Sequence, residues 1–113
     1  MRSLKIALVA AMVASAAAPA FAADRISDTD LLRASRCLGL AKAESLGAVD
    51  ATALESFVRA QRKGRDPGLR DRSDNAEKTA RSQASSAGGD RKATLRAERD
   101  GACKTLIENP TGA

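Results

Sequence analysis

Between residues 28 and 49 apolar and small side chains recur every three or four positions, at Leu31, Ala34, Leu38, Ala41 and Ser45, with Leu46 and Val49 extending the stripe. This spacing is that of one face of an α-helix and predicts a helix over 28–49. Leu32 and Leu40 fall elsewhere on the wheel, among Arg33, Arg36 and Glu44. A helix apolar on more than one side is expected to be contacted from more than one side. Ser27 or Asp28 offers the capping oxygen, and Asp28 and Asp30 put negative charge where the helix dipole favours it.

A second helix is expected from Asp50, with Leu54, Phe57, Val58 and Gln61 as its apolar edge. Val49 and Leu54 are spaced as a hydrophobic staple, and Thr52 and Glu55 as an alternative capping box. The run Gly64-Arg65-Asp66-Pro67-Gly68 ends it, and Asp66 followed by Pro67 has the cap-then-proline order that starts a third helix. Over 67–86 Leu69 is the single large apolar residue, so 64–90 is expected to be the most frayed part of the domain, with partial disorder as the alternative. Leu69, Ser73, Ala76, Ala80, Gln83 and Ala87 nevertheless recur at helical spacing, a small-residue seam suited to close packing. Acid-before-base pairs four residues apart, Asp66–Arg70, Asp74–Lys78, Glu77–Arg81, Glu55–Arg59 and Asp100–Lys104, also favour helix. Ser85 to Gly89 break the chain, and Asp90 is expected to cap a last helix reaching Glu108, with Leu95, Ala102, Cys103, Leu106 and Ile107 as its buried arc. Arg99 falls inside that arc and is expected to lay its stem on the core edge with its charge in water. Gly39 and Gly101, each two residues from a cysteine, suggest only room for a close backbone approach.

Residues 1–22 have a different pattern. Arg2 and Lys5 precede an uncharged apolar run over 6–18, then Pro19 and Ala20-Phe21-Ala22. This is the order of a cleaved secretory signal peptide, and the run is shorter than a membrane span needs. The expected product is an exported domain over 23–113, periplasmic or extracellular, with no transmembrane segment after cleavage. Two cysteines, Cys37 and Cys103, then meet an oxidising compartment and are expected to form a disulfide. Pairing the first and last helices antiparallel through it sets Ala34 near Leu106 and Leu38 near Ala102. The parallel choice buries Asp100 and Lys104 against the stripe, at high cost. The fold class expected is therefore all-α: a small up-down bundle of three to four helices, the first and last antiparallel and joined by Cys37–Cys103.

Charge adds one feature. The exported part carries a net charge of −2 over 24–55, from four bases and six acids, and +6 over 59–104, from thirteen bases and seven acids. Its densest basic part, Arg59, Arg62, Lys63, Arg65, Arg70 and Arg72, is the candidate for docking anionic lipid or polysaccharide. The alternative is a solvated helix face neutralised by its own acids. Nucleic acid is disfavoured, since no Trp or Tyr offers a stacking surface.

Candidate chemistry is sparse. The chain has no histidine, which removes the usual general base, the Ser-His and Cys-His pairs and the commonest metal ligand. Asp66 and Glu77 have calcium-loop spacing, but Gly68 and Arg70 stand where oxygen ligands belong and Asp71 replaces the turn glycine. Asp71, Asp74 and Glu77 face neighbouring bases, and Pro110 spoils Asn109 as a glycosylation site. No metal or cofactor is expected, and the function expected is non-enzymatic: binding or chaperoning of envelope proteins through the surface, or else docking an anionic surface. In general form, an exported helical domain with one long-range disulfide, the chain resembles the periplasmic acid-stress chaperones; the likeness is of architecture, without a shared motif.

Overall fold

The computed structural model describes residues 25–112, so the signal-peptide reading of 1–22 lies outside the described residues. Helix α1, Asp28–Lys42, is the centre of the molecule. Ser27 caps it, its Oγ accepting from the Asp30 N–H at 3.1 Å. Leu31, Ala34, Ser35, Cys37, Leu38, Gly39, Leu40 and Ala41 are all buried, which takes in most of the circumference. The remaining helices are α2 (Thr52–Arg62), α3 (Pro67–Ser86), α4 (Gly89–Asp100) and α5 (Lys104–Glu108), and α1 packs against every one of them. No strand occurs among the described residues.

Pair contacts fix the directions. Lys42 meets Glu55 at one end of α1 while Asp28 meets Arg65 at the other, so α2 runs antiparallel to α1. Ser35 touches Ser73 and Gly39 abuts Glu77 and Ala80, so α3 runs parallel to α1. Cys37 bonds to Cys103 while Leu46 receives Arg99, so the last segment returns antiparallel. The result is an up-down-up-down bundle whose first and last helical segments are joined by the predicted disulfide. Its core is Leu31, Leu38, Leu40, Leu46, Leu54, Val58, Leu69 and Leu95, with small residues between them. At about 1.5–3 kcal/mol for each large apolar side chain removed from water, this is a thin core for its length.

Gly39 explains how α3 gets so close. A Cβ there would lie 2.3 Å from the Glu77 carbonyl oxygen and 2.8 Å from Ala80 Cβ. Only a residue without a side chain fits. The buried face of α3 is Leu69, Ser73, Glu77, Ala80 and Ala84, rotated slightly from the expected seam, which leaves Ala76, Gln83 and Ala87 half-buried. Asp66 caps α3 as expected, accepting from the Leu69 N–H at 3.0 Å, with Pro67 in the first turn and Gly64 at φ 74° in the preceding turn.

Several boundaries differ from the sequence expectation. α1 stops at Lys42 rather than 49, because Ala43 turns extended and Glu44–Leu46 form a short 3₁₀ turn closed by Gly47 at φ 82°. Val49 therefore leaves the stripe and is 37% exposed, so it staples nothing. Neither capping box nor staple starts α2; Asp50 Oδ1 instead accepts from the Thr52 N–H at 3.0 Å and its hydroxyl at 2.7 Å. Gly88, not Asp90, is the cap of α4, and Asp90 sits inside its first turn. The last helix is broken at Gly101, where a Cβ would lie 2.9 Å from the Ala97 carbonyl oxygen. Cys103 donates back to the Glu98 carbonyl at 3.0 Å and opens α5.

Candidate functional site

The six basic residues singled out by charge lie at the end of α2, in the turn and at the start of α3, and the fold gives them different tasks. Arg65 is a clamp. Its side chain is 6% exposed, and it donates to the Gln61 carbonyl at 2.8 Å, the Ile26 carbonyl at 2.7 Å and Asp28 Oδ1 at 2.9 Å. Arg62 turns inward to Ser73 Oγ at 2.7 Å and Glu77 Oε1 at 3.2 Å. Arg59 pairs with Glu55 on the surface at 3.4 Å. Lys63, Arg70 and Arg72 are exposed. Arg62 and Arg65 are thus engaged inside the molecule, and the basic face is reduced to the other four.

Arg62 belongs to a polar seam that crosses the α1/α3 contact. The Ser35 hydroxyl donates to the Leu31 carbonyl at 2.7 Å, so it must accept from Ser73, 2.6 Å away, and Ser73 in turn accepts from Arg62 Nε. Each hydroxyl donates once and accepts once. Glu77, 9% exposed, takes Arg62 on one oxygen and Lys42 Nζ on the other at 3.1 Å, and Lys42 also reaches Glu55 at 3.5 Å. A buried carboxylate between two cations is compensated, and removal of one partner would leave an uncompensated charge. Neither serine has a base beside it to take its proton, so the seam positions helices.

A second set of charges holds the returning segment. Arg99 is 6% exposed, and its guanidinium donates to the Leu46 carbonyl at 2.8 Å, to the Gly47 carbonyl and to Asp100 Oδ1 at 2.8 Å. This corrects the expectation that its charge lies in water: the turn after α1 presents two outward carbonyls that an arginine fork satisfies. Arg36 forms a two-pronged pair with Glu98 at 2.7 and 2.9 Å and also reaches Gln83 at 3.0 Å. That hydrogen bonding holds the Glu98 carboxyl below the usual glutamate range and raises Arg36 further, in both cases against partial desolvation. Asp50 is lowered by the Thr52 hydrogen bonds, Asp74 by Lys78 and Asp100 by Arg99. Of the expected helix pairs, Asp74–Lys78 and Glu55–Arg59 form, whereas Glu77 leaves Arg81 for Lys42 and Arg62, and Asp100 turns to Arg99 because the helix breaks before Lys104.

Cys37 and Cys103 are 2% and 1% exposed, and their disulfide is shielded from attacking thiolates. No group of three or more His, Cys, Asp or Glu suited to a metal ion occurs among the described residues, and no described helix is long and apolar enough to cross a membrane.

What the surface offers is a set of open clefts. One of about 400 Å³ lies between Val49 and Ile107, rimmed by Asp50, Asp100, Lys104 and Glu108. A smaller one of about 160 Å³ is walled by Ile26, Phe57, Leu106 and Pro110, with Asp30 and Arg33 at its mouth. A third, about 500 Å³, is a long groove between α1 and α3 over Leu32 and Ala76. Sequence periodicity gave no sign of these clefts, since each forms where residues distant in the chain meet. The Glu77 seam had a signal, because residue 77 keeps the four-three register of Leu69, Ser73, Ala80 and Ala84. Comparison of the chain with protein-family models, with curated proteins and with solved structures finds no match.

Proposed function

We propose that the chain is an exported, non-enzymatic helical protein that acts by binding or chaperoning other proteins of the envelope through its surface. The observation that carries this reading is the chemistry of the clefts. These three clefts are open and more of their lining surface is apolar than polar, a form suited to apolar segments of other proteins rather than to enclosing a small substrate. Export is supported by the pattern of residues 1–22 and by a buried disulfide, which persists in oxidising compartments. The test is aggregation of an unfolded client protein followed by light scattering, in moderate salt, with the mature chain at equimolar ratio. Suppression together with a client cross-link is the expected result; unchanged scattering without a cross-link rejects the reading.

A second reading, docking of an anionic lipid or polysaccharide surface through the 59–72 segment, is favoured by the exposure of Lys63, Arg70 and Arg72. It is weakened by the inward engagement of Arg62 and Arg65. Binding to anionic vesicles that falls steeply as salt rises would support it over the first.

A further inference from the structure

The groove between α1 and α3 combines an apolar floor with unpaired positive charge. Its walls are Thr29, Leu32, Arg33 and Arg36 from α1 and Asn75, Ala76 and Thr79 from α3, and the lining is predominantly apolar. Leu32 and Ala76 are half-buried at its base. Arg36 is held by Glu98 and Gln83, but the Arg33 side chain is exposed and makes no bond among the described residues. Arg72 is likewise exposed and unbonded, and it precedes Ala76 by one turn on the same strip of α3. The lining contains no carboxylate. Asp30 lies one turn before Arg33 at the mouth of the neighbouring cleft, and Asp71, next to Arg72, points about 100° away round the helix.

We propose that this groove is a docking site for an acidic amphipathic helix of a partner protein. The inference rests on the reading that the chain works by binding other proteins, and it names the place and the charge of one partner. From Thr29 to Arg36 the groove covers two turns, roughly 10 Å at 1.5 Å per residue. That length takes two apolar side chains of a partner helix, three or four residues apart, onto Leu32 and Ala76. Acids flanking those side chains would meet Arg33 and Arg72. A bilayer is a poor occupant, because the exposed large apolar residue of the described chain, Val49, lies at another cleft. A second copy fits no better. Arg70, Arg81 and Arg91 are exposed on α3 and α4, so those faces of a second copy would set bases against bases. So small a contact implies weak, transient association that depends on salt.

The probe is a synthetic helical peptide with leucines at positions i and i+4 and glutamates beside them, titrated into the mature wild-type chain. A lysine-for-glutamate version of the same peptide and phosphatidylglycerol vesicles form the other arms. Methyl shifts are expected at Leu32, Ala76 and Thr79 with the acidic peptide alone, weakening as salt rises. Arg33→Glu with Arg72→Glu should weaken binding about tenfold, since rim charges set the association rate and its salt dependence. It should leave the melting midpoint unchanged, because neither arginine side chain bonds to another described residue. Equal binding of the lysine peptide, absence of groove shifts, indifference to the double reversal, or binding of vesicles alone would each overturn the proposal. If wild-type chain suppresses client aggregation yet ignores the acidic peptide, the groove assignment fails and the wider reading stands; if both fail, the wider reading falls as well.

Discussion

Replacing Gly39 by alanine adds one methyl group at the tightest point of the α1/α3 contact. The new Cβ would sit 2.3 Å from the Glu77 carbonyl oxygen and 2.8 Å from Ala80 Cβ. Restoring separations near the optimum of about 3.5–4.0 Å requires α3 to retreat by roughly 1 Å. Both neighbours are rigid, one being main chain and the other the first atom of a side chain. The same retreat stretches the Ser35–Ser73 hydrogen bond from 2.6 Å beyond the range in which it holds. Overpacking costs about 1–3 kcal/mol and loss of a buried hydroxyl pair about 1 more, while replacing glycine in a helix returns about 1. The net loss is about 2 kcal/mol, or roughly 8–16 °C in thermal midpoint for a domain of this size. Circular dichroism melts of Gly39→Ala beside Gly89→Ala measure it, since a Cβ at Gly89 meets nothing within 4 Å and its helix should gain slightly. Adding Ala80→Gly to Gly39→Ala removes one clash and leaves the carbonyl, so the pair should be coupled and the rescue partial. A Gly39→Ala protein melting at or above wild type would refute the reasoning.

Two further outcomes follow from the bonds described. Cys37→Ser with Cys103→Ser opens a loop with a sequence separation of 66, which in the chain-entropy model costs roughly 4 kcal/mol. The midpoint should fall by well over ~10 °C; two free thiols in the oxidised monomer, or an unchanged midpoint, would contradict this. For Glu98, whose folded pKa is depressed by Arg36, the pair's stabilisation is present above the usual glutamate value and lost as pH falls through the folded one. Stability should therefore decline as pH drops from about 4.5, and Glu98→Gln should flatten part of that decline in urea titrations. Asp50, Asp74 and Asp100 add to the slope, so an identical profile in the variant counts against the Arg36–Glu98 pair alone.

Local signals in the sequence translated well into local structure. Ser27, and Asp66 with Pro67, cap helices because capping depends on the next three residues and little else. Apolar residues on several sides of α1 announced a central helix, and the cysteine pair with its charge neighbours gave the antiparallel closure. What was hidden depends on partners far along the chain. Gly39 is a contact point only because Glu77 and Ala80 come to it, and Arg99 is buried only because the turn at Leu46 and Gly47 faces it with two carbonyls. Residues 59–72 read as one basic patch, yet Arg62 and Arg65 point inward toward acceptors supplied by α3 and by the segment leading into α1. The break at Gly101 was not read from the sequence, which ran one helix through to Glu108; it follows from the backbone turn that carries Cys103.

The bridge between Cys37 and Cys103 also makes the described chain a closed ring with two tails. α2, α3 and α4 all lie wholly inside the ring, as does the turn at Ala87 and Gly88 between α3 and α4. A protease that severs that turn would not divide the molecule. The two pieces would migrate as one until a reductant was added, and α3 would keep its seat against α1 through contacts that do not pass through the cut. The same topology makes this turn a natural place to open new chain ends in a circularly permuted version, since the sulfur bridge takes over the connection that the peptide bond gives up.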